Sequence, residues 1–152
     1  MDNTALKDRI LGLVPDAEFL ENKQFVTFVI PPAKMHDLAL KLKSEADLAF
    51  DYLFCLSAVD MVKYLEVVYH LESTSNRHML ELKVRTDDRE NGAVDTVCDI
   101  WRTAEFHERE AFDLMGIRFA NRPDLRRLFL EDDWKGHPLR KDYVDEVNIV
   151  EL

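Results

Sequence analysis

Three consecutive segments with strand-like alternation constrain the fold of this 152-residue chain more than any other feature. They lie at residues 49–60, 64–72 and 77–86. In the third segment Leu80, Leu82 and Val84 alternate with charged residues, which is typical of a strand with one buried face and one wet face. The links between the segments are short and polar. We therefore expect an antiparallel meander of three strands.

The other periodic segments predict helices and short strands around this meander. A helix is expected at 4–14 with Thr4 as its N-cap, and a second amphipathic helix at 33–46. Short strands are expected at 17–20 and 24–30, and a helical pattern covers 94–115. The sequence predicts an α+β fold: a single domain with an antiparallel sheet (hairpin plus meander), helices packed on it, and an irregular C-terminal arm. The boundary between domain and arm is expected at residues 120 and 121.

The charge distribution limits the kind of partner. The formal net charge is −10, so bulk binding to nucleic acid or to an anionic membrane is disfavoured. Residues 121–143 nevertheless carry six basic and five acidic side chains, so the rest of the chain is more acidic still. An acidic body with a mixed-charge C-terminal segment favours a protein partner. The N-terminal segment lacks the pattern of a secretory signal, and no apolar run approaches the length of a membrane span.

The two cysteines do not suggest a redox or metal motif. Cys55 lies in an apolar run, Cys98 lies in the segment predicted to be helical, and no CxxC spacing occurs. We predict buried free thiols in a reducing compartment, with a disulfide or a metal pair as the alternatives.

The segment EFHEREAFDLMG at 105–116 is the first candidate site. His107 and Glu108 begin like the HExxH motif of zinc proteases, but residue 111 is alanine, so the second histidine ligand is missing. His107 and Glu110 are three residues apart on one helix face and are a possible acid–base pair. Ion pairing is the commoner role of such a Glu–Arg–Glu run, and a buried Arg109 would need a partner.

The segment RPDLRRLFL at 122–130 is the second candidate site. Leu125, Leu128 and Phe129 are candidate apolar anchors there, and its arginines suit the recognition of carboxylates.

The segment DWKGHPLRKDY at 133–143 is the third candidate site. Gly136 and Pro138 fix an irregular backbone path, and Trp134 and Leu139 are candidate apolar anchors. The residues leave two possibilities equally open, an arm packed on its own domain and a surface that binds a partner. His137 precedes proline and is expected to form hydrogen bonds within a loop.

Residues 101–143 resemble one family closely. WRTAEFHEREAFDLMGIRF followed by RPDLRRLFLEDDWKGHPLRKDY is similar to the signature of the C subunit of NADH:quinone oxidoreductase, the respiratory complex I. Equivalent subunits occur in F420H2 dehydrogenase and energy-converting hydrogenase complexes. Met115, Asn121–Arg122 and Val144 depart from the commonest residues of the family. These departures leave open which of the complexes the chain serves.

The resemblance implies a non-redox peripheral-arm subunit that binds no cofactor itself. FMN, iron–sulfur clusters and quinone are expected in partner subunits, and electrons pass from NADH to quinone through those neighbours. The expected partners are the large quinone-site subunit, which is of the D type, and the iron–sulfur subunits, on the cytoplasmic side of the inner membrane. Residues 1–120 would be the α+β domain and 121–152 its C-terminal docking arm. The resemblance implies partner contacts, rather than catalysis or metal binding, for Glu108, Arg109, Glu110, Asp113, Pro123, Asp124, Arg126, Arg127, Asp133, Trp134, Gly136, Pro138, Leu139, Arg140, Lys141 and Asp142.

Two alternatives of other classes remain at this point. The first is a free-standing acid/base enzyme that uses His107 and Glu110, although the sequence contains no complete active site. The second is a nucleic-acid module that uses the basic side chains at 122–127. The acidic residues at 131–133 and the net charge of the chain disfavour this alternative.

Overall fold

A computed structural model describes residues 1–145 of the chain. The part of the predicted arm at 146–152 lies outside the described residues. The elements in chain order are α1 (Asn3–Leu13), β1 (Glu18–Leu20), β2 (Val26–Val29), α2 (Pro32–Ser44), β3 (Tyr52–Asp60), β4 (Leu65–Ser73), β5 (His78–Thr86), β6 (Ala93–Asp95), α3 (Ala104–Met115) and β7 (Arg118–Ala120).

Five strands form one sheet in the order β1-β2-β5-β4-β3. The predicted meander is confirmed, because β4 pairs antiparallel with both β3 and β5, and Tyr69 lies opposite Leu82. The sheet differs from the expected antiparallel one at a single junction within residues 1–145, where β2 runs parallel to β5 and Phe28 lies opposite Leu82. The reason is topological. Helix α2 carries the chain from β2 to the far edge of the sheet, and two hairpins then bring it back beside β2 in the same direction.

The core lies between one face of this sheet and the helices. Leu6 and Ile10 of α1 and Met35 of α2 are fully buried, together with Phe28 and Tyr69 of the sheet. Both amphipathic helices are therefore confirmed. The N-cap of α1 is not Thr4 but Asp2, whose carboxylate accepts a hydrogen bond from the Ala5 N–H at 2.8 Å.

The prediction of one helix over 94–115 is wrong. Residues 93–95 form β6, which pairs parallel with β7 in a second, two-stranded sheet, and α3 begins only at Ala104. Turns connect β6 to α3. Trp101 lies in this connection, where its side chain is buried and its indole N–H donates to the Phe50 carbonyl at 2.9 Å. Cys98 therefore lies in a turn. Both Cys55 and Cys98 are free thiols, as predicted, but they are partly exposed instead of buried.

Candidate partner-docking site

The C-terminal arm, residues 121–145, follows β7 and crosses the end of α3 without forming a helix or strand of its own. Its backbone contacts the helix directly, since the Leu139 N–H donates to the Leu114 carbonyl at 3.0 Å. An irregular segment of this length needs other partners for its backbone polar groups. Side chains of α3 and of the arm itself supply them.

Asp113 holds the first half of the arm. Its side chain is fully buried, and one carboxylate oxygen accepts hydrogen bonds from the N–H groups of Leu128, Phe129 and Leu130 at 3.2, 2.7 and 3.0 Å. Burial alone would raise the pKa of Asp113. The hydrogen bonds from the Phe129 and Leu130 N–H groups and from the Arg127 guanidinium outweigh burial and leave this pKa below its usual value. The carboxylate is therefore charged and fixed at neutral pH.

Arg127 links Asp113 to the second half of the arm. One terminal nitrogen donates to the Asp113 carboxylate at 2.9 Å, and the other donates to the carbonyls of Trp134 and Gly136 at 2.9 and 3.0 Å. The guanidinium fork thus joins three points of the chain. Arg127 contacts its own chain, and a partner has access only to the 12% of its side chain that is exposed.

Glu108 holds the start of the arm from the other side of α3. Its carboxylate is fully buried and accepts hydrogen bonds from the Val97 N–H at 2.9 Å, the Thr96 hydroxyl at 2.6 Å and the Arg122 guanidinium at 3.1 Å. Burial raises the pKa of Glu108, and these three donors offset only part of that effect. Arg122 also donates to the Glu105 carbonyl at 3.1 Å.

The C-terminal end of α3 carries the next contacts. Gly116 has a φ of +72°, which is the left-handed conformation of a helix C-cap, and its carbonyl and that of Met115 face Arg140. The Arg140 Nε donates to the Met115 carbonyl at 2.6 Å. His137 Nδ1 lies 3.0 Å from the Asp113 carbonyl oxygen and donates to it, which requires a proton on that nitrogen. Burial lowers the pKa of His137, so the ring is neutral at pH 7.

Asp60, at the end of β3, holds the far part of the arm. Two terminal nitrogens of Arg89 donate to its two carboxylate oxygens at 2.7 Å each, and the Lys141 N–H donates to the same carboxylate at 2.9 Å. The Arg89 guanidinium holds the pKa of Asp60 well below its usual range. Arg89 also lies 3.4 Å from the Asp142 carboxylate, so the arm is closed by a three-residue ion-pair network.

The arm displays apolar side chains on its outer surface. Phe129 is 66% exposed, Leu139 61% and Val144 67%, and Phe106 on α3 is 58% exposed. Trp134 is only partly exposed, and its buried indole N–H has no hydrogen-bond partner among residues 1–145. Leu139 is therefore presented as the sequence predicted, whereas Trp134 packs mainly against its own chain. Phe129 was expected as an apolar anchor from the sequence. Phe106 and Val144 were not among the predicted residues, and only their apolar character within a charged segment marked them.

The predicted partner-contact residues fall into three groups. Exposed ones are Glu110, Pro123, Asp124, Arg126, Asp133, Gly136, Leu139, Lys141 and Asp142. Partly exposed ones are Arg109, Arg127, Trp134, Pro138 and Arg140. Glu108 and Asp113 are fully buried, so in this structure they hold the arm and do not face a partner directly. Whether the exposed residues contact a partner stays a prediction.

The acid–base pair suggested by the sequence lies at a small cavity. His107 and Glu110 line a space of about 140 Å³ together with residues of β3 and with Leu139. Among residues 1–145, neither side chain has a hydrogen-bonding or ionic partner that would orient it for proton transfer. No group of three His, Cys, Asp or Glu side chains within the described residues has an arrangement that would hold a metal ion.

The fold and the arm define the class of protein: a small α+β domain with a polar-bonded, irregular arm that presents apolar side chains. The chain belongs to the family described as respiratory-chain NADH dehydrogenase, 30 Kd subunit, which matches residues 28–147. The resemblance seen in the sequence is thus confirmed. Within residues 1–145, no helix is both long and apolar enough to cross a membrane.

Individual relatives show the extent of the similarity. The chain is 38% identical over 148 residues to the NADH-quinone oxidoreductase C subunit of Roseiflexus sp., covering 93% of this chain and 84% of that protein. It is 48% identical over 120 residues to the NADH-quinone oxidoreductase C/D subunit of Phocaeicola vulgatus, covering 78% of this chain. That match spans 23% of the length of the C/D relative.

A solved structure has the same fold. It is a chain of the membrane-bound sulfane sulfur reductase (MBS), an archaeal respiratory membrane complex, with a TM-score of 0.78 and 27% sequence identity. The match covers 95% of this chain and 86% of that chain. The similarity therefore includes nearly the whole α+β domain and arm.

Proposed function

We propose that this chain is a non-redox, peripheral-arm subunit of a proton-translocating NADH:quinone oxidoreductase, with the C-terminal arm as its docking surface. The observation that carries the proposal is that the polar groups of the arm are bonded within the chain, whereas its large apolar side chains are exposed. Asp113, Arg127 and Asp60 satisfy its polar groups inside the chain, while Phe129 and Leu139 face solvent. Exposed apolar side chains on an ordered surface are typical of a protein–protein interface.

The arm is suited to docking because its shape is set before a partner binds. A disordered segment would lose conformational freedom on binding, which weakens the affinity gained from each contact. Here buried ion pairs and hydrogen bonds already fix the path from residue 127 to residue 142. The two possibilities left open by the sequence are then compatible: the arm packs on its own domain through polar atoms and offers its apolar side chains to a neighbour.

The relatives support the proposed partners. The C/D name of the Phocaeicola vulgatus relative indicates that a C-type and a D-type part share one chain there. We propose that this chain binds a separate D-type subunit, which carries the quinone site, and iron–sulfur subunits beside it. FMN and iron–sulfur clusters would belong to those partners, and the chain would lie on the cytoplasmic side of the membrane. None of its own residues has a role in electron transfer in this proposal.

A second candidate is the same scaffolding role in a different electron-transfer complex. The solved structure of similar fold comes from a sulfane sulfur reductase, and an energy-converting hydrogenase or F420H2 dehydrogenase would use the subunit in the same way. The free acid/base enzyme gains no support beyond the shared cavity of His107 and Glu110.

Affinity purification from native membranes tests the proposal. The chain, tagged at its N-terminus and expressed in its own host, should recover a D-type subunit and iron–sulfur subunits in equal amounts. NADH-driven quinone reduction in the purified sample would assign the complex I type, whereas hydrogen evolution or sulfur reduction would assign the alternative. Recovery of the tagged chain alone would refute the scaffolding role.

A further inference from the structure

Strand β3 has a free edge beside α3. It is the last strand of the sheet and pairs only with β4. The Met61 N–H donates to the Tyr64 carbonyl across the hairpin, so Ser57 bonds to β4 and the backbone groups of its neighbours Leu56 and Ala58 point the other way. Within residues 1–145, no backbone hydrogen bond from another segment reaches Leu56 or Ala58.

The free stretch is short and begins after the register shift between Leu53 and Cys55. Residues 52–60 contain neither lysine nor proline, which commonly prevent edge-to-edge pairing. Its ends, in contrast, are closed. The Thr103 hydroxyl donates to the Leu53 carbonyl at 2.9 Å, and the Lys141 N–H donates to the Asp60 carboxylate at 2.9 Å. Only the middle of the strand remains open to a new strand.

A cavity lies against this open stretch. Leu56 and Ala58 form one wall, Leu114 on α3 forms another, and exposed Leu139 of the arm forms a third. Its volume of about 140 Å³ is close to that of cavities that hold a benzene-sized group. The cavity therefore suits one aliphatic or aromatic side chain that projects from a strand added to β3.

The rim of the cavity indicates the charge of the occupant. Glu110 is exposed, and within residues 1–145 it forms no ion pair. His107 beside it also has no hydrogen-bond partner in the described part of the chain. The chain carries a net charge of −10, so the electrostatic potential of the whole protein also favours a basic segment.

We propose that an extended segment of a partner subunit adds as a strand to the free edge of β3, with one apolar side chain in the cavity and a lysine or arginine against Glu110. This mode of binding combines main-chain hydrogen bonds for affinity with a side-chain pocket for specificity. The inference rests on the proposed function, because the segment belongs to another subunit of the same complex. It is continuous with the docking arm, since Leu139 borders both surfaces.

Two variants test strand addition at the free edge of β3. Ala58→Pro removes an N–H that points away from β4, so the existing ladder stays intact, and Val59→Thr on the opposite face is the matched control. Glu110→Lys reverses the rim charge. With variant and unmodified chains co-expressed under different tags, we expect Ala58→Pro and Glu110→Lys each to lower incorporation into the complex about tenfold, and Val59→Thr to leave it unchanged.

Amide hydrogen exchange of the unmodified chain provides a test that no folding defect can confuse. In the isolated chain Leu56 and Ala58 should exchange fast and Ser57 slowly. In the assembled complex all three should exchange slowly. An assembled complex in which Leu56 and Ala58 still exchange fast would overturn strand addition while leaving the proposed function in place. Slow exchange at both amides in an isolated dimer would assign the edge to a second copy instead, and a chain that never assembles would overturn both proposals.

Discussion

Replacing Asp113 with alanine should detach the arm from α3. The change removes the acceptor of three backbone N–H groups and leaves the Arg127 guanidinium, only 12% exposed, without its counter-charge. Breaking a buried pair by removing one partner costs about 3–5 kcal/mol. The loss is limited by the free energy that holds the arm on α3, because water satisfies the donors of the arm once it separates from the helix. For a chain of this size, the loss corresponds to a decrease of about 6–20 °C in Tm.

The assay combines thermal unfolding with hydrogen exchange at the arm. We expect Asp113→Ala to lower the Tm and to speed exchange of the Leu128, Phe129 and Leu130 amides, while the amides of β4 and β5 keep their protection until the whole domain unfolds. The matched control is Asp133→Ala, an exposed arm residue whose replacement should change the free energy of unfolding by no more than about 0.5 kcal/mol. A Tm within about 2 °C of the unmodified chain, with the three amides still slow, would refute the role assigned to Asp113.

Two further predictions concern Gly116 and acid stability. Gly116 has a positive φ, and in Gly116→Ala the added Cβ would lie 2.5 Å from the His137 Cδ2 atom. This variant should be destabilised by about 2–4 kcal/mol in chemical denaturation. Gly12→Ala in α1, which has open space around it, should instead be stabilised by about 0.5–1 kcal/mol. Asp60 and Asp113 have pKa values below the usual 3.9, so their contribution to stability is complete above that value and is lost as the pH falls through the folded-state pKa values. Urea unfolding from pH 6 to pH 2 should show this decline, and a double Asn variant should show a much shallower one.

The parts of the fold that depend on local periodicity could be predicted from the sequence. The alternation of β4 and β5 and the helical spacing of α1 and α2 are set by neighbouring residues, and the structure confirms them. The parallel pairing of β2 with β5 depends on where a crossover helix delivers the chain. No local pattern in the strands encodes that.

The helix over 94–115 was predicted wrongly for a specific reason. Val97, Ile100, Trp101 and Ala104 are all buried at helical spacing, and several turn hydrogen bonds there also join residues three or four apart. The buried positions thus imitate an amphipathic helix, although the axis breaks before α3. Residues 93–95 form a strand instead of a helix because β6 pairs with β7, and that pairing joins residues more than twenty positions apart in the sequence.

The candidate site could be predicted as a segment but not as an arrangement. The high proportion of Arg, Asp, Trp and Gly residues indicated that the arm has a defined, irregular conformation. Which carboxylate would be buried is a property of the packed structure. Glu108 and Asp113 lie on α3, whereas the arm residues that donate to them lie 14 to 17 residues later in the sequence. Asp60 and Arg89 were not recognised because they lie 81 and 52 residues before Lys141, to whose N–H the Asp60 carboxylate is bonded.

The most direct test of the docking arm is the assembly of a chain whose outward-facing apolar side chains have been replaced. Phe129→Ser with Leu139→Ser removes the two largest exposed apolar groups of the arm and touches none of its internal hydrogen bonds. Burial of two such side chains in an interface is worth about 3–6 kcal/mol. The proposed docking role of the arm predicts a variant with an unchanged Tm whose recovery with D-type and iron–sulfur subunits from native membranes falls at least about tenfold. Full recovery of those subunits by the folded double variant would contradict it.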